Sequence, residues 1–424
     1  MRGPVPVDAA GGGQGRPAGG GRPPVVARAA LGGPAGAHPV STVGAAVRLP
    51  LPDGTLERYA LGAPGDFSRP AAPPACRQAL AAVHVVVDPL ADPPRIDWEA
   101  TLAFRRHVWS WGLGVAEAMD TAQRGMGLGW PEARELIERS VREARAAGGR
   151  VASGVGTDHL APGAARGLDD VVAAYELQCE AVEAAGGDVV LMASRELARI
   201  AAGPDDYARV YGRVLSGLRR PALIHWLGPM FDPALAGYWG HDDPRAAMEV
   251  CLAVMAEHAD RVVGVKVSML DAVLEVEMRR RLPAGVRMYT GDDFNFAELM
   301  AGDDRGHSDA LLGIFDGIAP AASAALQALD AGDRARFAAL LAPTVPLSRH
   351  VFRAPTYHYK AGLVFLAYLN GHQRHFHLLG GLESARSVLH LAELLRLADR
   401  AGLLADPELA VARVRPVLAL AGVD

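Results

Sequence analysis

Arg261-Val-Val-Gly-Val-Lys266-Val-Ser-Met-Leu270 places a lysine in the middle of an apolar, β-branched run. The pattern reads as a buried strand. The chain carries 43 basic residues, of which only Lys266 and Lys360 are lysines. Along a strand, side chains alternate between faces. Val263, Val265 and Val267 therefore share one face, suited to packing under helices, while Gly264, Lys266 and Ser268 share the other. An ammonium in such a place must find a partner or lose its proton, and a neutral amine is a nucleophile. A lysine paired with an interior carboxylate is the plain structural reading, and a carbonyl-trapping lysine is the functional one.

From Arg77 onward the flanking sequence repeats this rhythm. Apolar runs at 82–87, 114–118, 150–153, 188–192, 222–226, 262–267, 286–289 and 309–314 alternate with helix-period stretches near 97–111, 131–147, 168–185, 204–218, 244–259, 269–281, 294–301 and 318–330. Asp97 and Asp243-Pro244 are good helix starts. Alternating strands and helices imply right-handed βαβ units and a parallel sheet. Eight units over 77–331 fit a (β/α)8 TIM barrel, which needs about 250 residues. An open doubly wound sheet is the alternative, but no Gly-x-Gly-x-x-Gly turn follows the first strand.

Outside the barrel, residues 1–45 are rich in Gly, Pro, Ala and Arg without periodicity and read as a disordered tail. Residues 46–76 form an extended lead-in, with a turn at Leu51-Pro-Asp-Gly54. Residues 332–424 are helical in pattern, with a break at Leu378-Leu-Gly-Gly-Leu382.

Half of the residues are hydrophobic and 21% are charged, as in soluble globular proteins. A net charge of −5 gives no reason to expect nucleic acid or an anionic membrane as partner. No apolar run approaches the roughly 18 residues that span a bilayer, and no signal peptide opens the sequence. Cys76, Cys179 and Cys251 are scattered and odd in number, which favours a reducing compartment over a disulfide framework. The expectation is a cytoplasmic protein.

In a barrel, functional groups cluster where strands end. Lys266 stands near the upper end of its strand, facing inward. On the preceding strand, Pro221-Ala-Leu-Ile-His225-Trp226, the parity of Leu223 turns His225 inward too. His225 is a candidate proton carrier, with a satisfied core histidine as the alternative. Asp88 ends the first strand on the face of His84 and Val86. After the second strand, Asp120-Thr121-Ala-Gln-Arg124-Gly offers a hydroxyl and a guanidinium for a carboxylate or keto group. Ser153-Gly-Val-Gly-Thr157 is a small-residue turn that permits close approach of a substrate. In Tyr289-Thr-Gly291-Asp292-Asp293, Asp292 is a candidate substrate contact and Asp293 a helix cap.

In this order, these residues resemble the dihydrodipicolinate synthase/N-acetylneuraminate lyase family of class I aldolases, from about Ala81 to about Asp333. Val87-Asp-Pro89 is similar to the family's Val-Thr-Pro. Asp120-Thr121-Ala-Gln-Arg124 falls at its Gly-Thr-Thr-Gly-Glu, and Ser153-Gly-Val-Gly-Thr157 at its Ala-Gly-x-Gly-Ser. Val263-Gly-Val-Lys266 and Tyr289-Thr-Gly-Asp-Asp293 are similar to its Schiff-base strand and its Ser-Gly-Asp-Asp. The family's Tyr-Asn-x-Pro is replaced by His225-Trp-Leu-Gly-Pro229, its following arginine falls near Met230, and the second threonine of its pair is Ala122. The resemblance thus implies a divergent branch: a Schiff-base lyase acting on a 2-oxo acid or related ketone, but not dihydrodipicolinate synthesis.

On this reading Lys266, His225 and Thr121 are catalytic, and Asp88, Arg124, Thr157 and Asp292 contact substrate. No metal or cofactor is needed, and the assembly is a homodimer or homotetramer. Tyr238-Trp239 offers apolar surface for it, or else core. Two rivals remain. One is a metal-dependent barrel isomerase or aldolase using His84, Glu117, His225 and Asp292 as ligands. The other is a binder that keeps the pocket without turnover.

Overall fold

The computed structural model describes residues 45–423, so the tail expected at 1–45 lies almost wholly outside the described residues. Eight strands close a barrel in which every neighbouring pair is parallel. They are β1 (Ala79–Ala82), β2 (Gly114–Glu117), β3 (Val151–Val155), β4 (Asp188–Leu191), β5 (Ala222–Leu227), β6 (Val262–Ser268), β7 (Arg287–Thr290) and β8 (Asp309–Leu312). Outside them lie α1 (Trp98–Ser110), α2 (Trp130–Ala147), α3 (Leu168–Ala185), α4 (Pro204–Gly217), α5 (Pro244–Glu257), α6 (Ala272–Arg279), α7 (Phe296–Ala301) and α8 (Phe315–Asp330). The expected TIM barrel is the observed fold.

Strand parity separates two apolar regions. Leu80, Ala82, Ala116, Ala152, Val190, Leu223, Tyr289 and Leu311 pack with Met119 and Met192 inside the barrel. Val115, Val155, Ile224, Val265 and Val267 join the larger core beneath the helices. Of the valine face on β6, Val263 alone stands at the open lower rim, 40% exposed. Helix starts follow their side chains: Asp97 accepts from Ala100 N, and Asp243 accepts from Arg245 N.

The first strand is displaced from its expected span. The ladder covers 79–82, not 82–87. Only His84 interrupts the apolar run from Ala79 to Val87, and the residue pattern does not mark where pairing stops. Side chains end it: the Asp316 carboxylate accepts the His84 N–H at 2.8 Å, and the Thr101 hydroxyl accepts the Val86 N–H at 3.0 Å. Val87–Asp88 then pairs antiparallel with Arg95–Ile96 in a separate small ribbon.

The residues flanking the barrel pack against each other. Ala46–Pro50 and Leu56–Ala60 form a hairpin around the turn anticipated at 51–54. The C-terminal region folds as α9 (Arg334–Leu341), α10 (Thr344–Val351), α11 (Tyr359–Leu369), α12 (Val388–Arg400) and α13 (Pro407–Leu420). Tyr59 donates its hydroxyl hydrogen to Asp399 at 2.7 Å, which ties the hairpin to α12. Tyr238 and Trp239 are buried in the core, 3% and 0% exposed, rather than forming a docking face. Among the described residues, no helix is long and apolar enough to cross a membrane.

The turn after β2 is held by a buried ion pair. Arg105 of α1 grips Glu117 with two hydrogen bonds of 2.9 Å, and both side chains are fully buried. Glu117 also accepts from Ser140 Oγ and from Ala118 N. Ala118 adopts a left-handed φ of 52°, which this grip sustains. Removing one partner strands a charge in the core, at a typical cost of about 3–5 kcal/mol. Glu117→Gln should lose stability of that order in urea unfolding, and a loss below about 1 kcal/mol would show that the pair does not anchor the turn.

Candidate active site

Lys266 lies inside the barrel, in register with His225 on one side and Tyr289 on the other. It is 7% exposed. Space for its stem comes from Gly291, just beyond β7. A Cβ there would sit 2.7 Å from Lys266 Cε, 2.1 Å from Ser268 Oγ and 2.8 Å from the Val267 carbonyl oxygen. Burial pulls the Lys266 amine below its ordinary range, and the carboxylates of Asp120 and Asp293 oppose that pull. The His225 imidazole is held well below its usual range by burial and then by Lys266, so it is neutral. Its Nε2 lies 3.1 Å from Ser268 Oγ, and its buried Nδ1 has no hydrogen-bond partner.

The two aspartates after Gly291 meet different surroundings. Asp292 folds back on its own turn, accepting from Phe294 N at 2.9 Å and from Asn295 N and Nδ2 at 3.0 and 2.8 Å. Neither aspartate caps the following helix, whose N-cap is Asn295. Asp293 accepts from Ile314 N at 2.8 Å, and burial raises its carboxyl to about 7 against the pull of that N–H and of Lys266. Both lie beyond the end of β7, and the local sequence Asp-Asp does not distinguish their surroundings.

Thr121 sits in a short 3-10 turn after β2, almost fully buried. Its Oγ1 lies 2.8 Å from the hydroxyl of Tyr359, the first residue of α11. The next turn of chain is fastened to the same C-terminal region. Gln123 donates to the Leu379 carbonyl at 2.8 Å and accepts the Leu379 N–H at 3.1 Å. Helices from outside the barrel thus close over its upper end. Lys360, beside Tyr359, is 3% exposed.

A cleft of about 270 Å3 opens at this end, where Asp120, Thr157, Arg195, Leu227 and Asp232 meet. Thr157 Oγ1 lies 2.6 Å from Ser194 Oγ. Arg124 also borders the cleft, but its guanidinium is already engaged. It donates to Asp158 at 2.8 Å, to Gln178 at 2.9 Å, and to the carbonyls of Gly154 and Ala118 at 3.0 and 3.2 Å. Its hydrogen bonds join the loops after β2 and β3, and nothing in them reserves the group for a ligand. Asp88 stands apart in the small ribbon, where its carboxylate accepts from Leu90 N at 3.0 Å. The displaced first strand removes it from the barrel mouth. A larger cavity of about 840 Å3 lies at the opposite end, between Leu80, Ala152, Leu223 and Arg287. Strands begin there, and lysine chemistry is remote from it.

The metal-dependent rival needs His84, Glu117, His225 and Asp292 together. His84 Nδ1 is bonded to Asp316 at 2.7 Å, Glu117 to Arg105, His225 to Ser268 and Asp292 to its own turn. Among the described residues, no three His, Cys, Asp or Glu side chains are grouped to hold a metal ion.

The sequence draws attention to Lys266, His225 and Thr121, and the structure brings all three to one end of the barrel. It adds Tyr359, Lys360 and Asp293, and it sets Asp88 and Asp292 apart. Lys360 carried one signal in its rarity; Tyr359 carried none, because its helix is far from the barrel in sequence.

Comparison with known proteins follows this geometry. A family described as a protein of unknown function (DUF993) matches residues 47–423. No match was found among curated proteins. Solved structures share the fold at low identity. A dihydrodipicolinic acid synthase family prophage protein from E. coli K12, in complex with pyruvate, is 14% identical with a TM-score of 0.61, over 77% of this chain and 99% of its own. Dihydrodipicolinate synthase from Aquifex aeolicus is 14% identical with a TM-score of 0.59, again over 77% and 99%. A putative dihydrodipicolinate synthetase from Pseudomonas aeruginosa is 17% identical with a TM-score of 0.57, over 76% and 99%.

The packing at Gly291 is directly testable. Gly291→Ala forces a methyl group onto Lys266, Ser268 and a backbone carbonyl, and such overpacking costs about 1–3 kcal/mol. Chemical denaturation should show a loss in that range, and an unchanged midpoint would mean that the barrel interior has room to spare.

Proposed function

We propose that this chain, which belongs to the family described as a protein of unknown function (DUF993), is a Schiff-base-forming class I aldolase or lyase acting on a 2-oxo acid or related ketone. The observation that carries the reading is the buried amine of Lys266, lowered in basicity inside a closed barrel and one strand from His225. Carbonyl capture requires an unprotonated amine, and burial favours that form of Lys266. The likeness to solved structures of this barrel type, one of them in complex with pyruvate, supports the choice of a 2-oxo acid.

The chemistry follows from the groups at hand. The Lys266 lone pair attacks the carbonyl carbon to give a carbinolamine. Its oxygen takes up a proton and leaves as water, and the protonated imine remains. That cation accepts the electron pair released when the adjacent carbon–carbon or carbon–hydrogen bond breaks. Proton movements fall to neighbours. His225 is neutral and carries a free ring nitrogen, and Asp293 titrates near neutrality. The Thr121–Tyr359 hydroxyl pair supplies a second route, since either oxygen can donate. Thr157 and Arg195 border the cleft at this end and are the proposed contacts for the rest of the substrate. A homodimer or homotetramer is the proposed assembly.

Borohydride reduction in the presence of pyruvate and a panel of other 2-oxo acids and sugar ketones should add mass at Lys266. Trapping should rise with pH and level off below the ordinary lysine range near 10.4, because raising pH through the depressed pKa frees the amine. Equal labelling of Lys266→Ala, or labelling elsewhere only, would sink the reading.

A further inference from the structure

A groove of about 570 Å3 runs along α12, and none of the residues bordering it borders the cleft at the barrel mouth. Ser387, His390, Glu393, Arg396 and Arg400 recur every three or four residues, so they line it from one face of the helix. Leu51 and Pro52, at the turn of the 46–60 hairpin, border it as well. Its head lies where α12 begins, because His350 and Arg353 are fastened there. His350 Nε2 lies 2.9 Å from the His390 carbonyl oxygen, and Arg386 donates to the Arg353 carbonyl at 2.7 Å.

The head of the groove holds positive charge and buried polar groups without partners. Both carboxylates that border the groove are held by Arg396, Glu57 at 3.2 Å and Glu393 at 3.5 Å. The exposed Arg353 guanidinium meets no carboxylate among the described residues. His390 is 1% exposed and stacks on His350 with ring centres 4.1 Å apart, yet neither of its ring nitrogens has a hydrogen-bond partner. Burial lowers both rings below the usual imidazole range, His390 to about 3, so neither adds charge near neutral pH. A neutral ring keeps one N–H, which the protein leaves without an acceptor. The first N–H groups of a helix also lack partners within it, and Ser387 Oγ takes only that of His390, at 3.3 Å.

We infer that the head of this groove is a binding site for a phosphate monoester, held by Arg353 and by the N–H groups that open α12. The charges match. A phosphate monoester carries about −1.5 to −2 near neutral pH, Arg353 supplies one positive charge, and the start of a helix is equivalent to about half of one. Three acceptor oxygens suit a guanidinium fork and helix N–H groups together. The organic body lies along α12 against Leu51, Pro52 and Leu389, the last of which leaves 39% of an apolar side chain exposed. The volume falls within the range of about 300–1,000 Å3 typical of small-molecule sites.

Calorimetric titration of the full chain with glycerol 3-phosphate, and with glycerol as its neutral counterpart, tests the site. Neither compound has a carbonyl group for Lys266 to capture, so the result is independent of the aldolase reading. Glycerol 3-phosphate should bind with a Kd on the order of 1 mM or tighter at physiological ionic strength, and glycerol should give no binding. Arg353→Ala removes a charged hydrogen-bond donor and should weaken binding about tenfold or more. Arg142→Ala, which removes an exposed arginine that borders no part of the groove, should leave the Kd unchanged. In protein labelled with 15N histidine, the His350 and His390 ring signals should move during the titration. No binding of glycerol 3-phosphate, equal binding of glycerol, or equal weakening in Arg353→Ala and Arg142→Ala overturns the inference. If Arg353→Ala does not fold, the wild-type histidine spectrum decides, and signals of His350 and His390 that stay in place overturn it.

Discussion

A titratable amine inside a closed barrel is the constraint around which the upper half of this molecule is arranged. Eight parallel strands leave little room at their centre, and the Lys266 stem fits only because Gly291 on the neighbouring segment has no side chain. Water is excluded, so the ammonium form is penalised, and only the carboxylates of Asp120 and Asp293 resist its deprotonation. Each is placed by backbone that other residues hold. Asp293 is pinned by the Ile314 N–H, and Asp120 opens the turn that leaves β2. That turn depends in turn on the Arg105–Glu117 pair, which keeps Ala118 in its left-handed conformation. Placement of the amine and stability of the scaffold are therefore coupled.

The C-terminal helices belong to this arrangement. Gln123 exchanges two hydrogen bonds with Leu379, and Thr121 meets Tyr359. These contacts bring a phenol and a second lysine to the barrel mouth. The hairpin at 46–60 braces α12 from the other side through Tyr59 and Asp399. Both chain segments flanking the barrel thus contribute to one supporting layer.

Much of this was legible in the residues. The rhythm of apolar runs and helix-period stretches gave strand positions within a residue or two for seven of the eight strands, and parity turned Lys266 and His225 inward. The first strand is displaced because the run from Ala79 to Val87 is apolar on both sides of His84, and the end of pairing is decided by Asp316 and Thr101 from elsewhere. Asp88 left the site with it. Asp292 and Asp293 meet different partners, which a doubled aspartate does not reveal in sequence. Arg124 looked available in a Gly-rich loop, and only the folded chain brings Asp158, Gln178 and two carbonyls to its guanidinium.

The sequence by itself determined the barrel and the inward-facing lysine, because both follow from short-range periodicity: alternation along a strand, and a repeat of strand and helix. It also marked lysine as rare enough that each copy invited an explanation. Tertiary structure alone decided what surrounds that amine. Tyr359 and Lys360 arrive from far along the chain, Asp293 comes to act on the Lys266 amine, and the Arg124 guanidinium is consumed by its neighbours. The reason is physical: desolvation and Coulomb attraction depend on distance in space, and no pattern of neighbours along the chain encodes which remote carboxylate or ammonium will stand within reach.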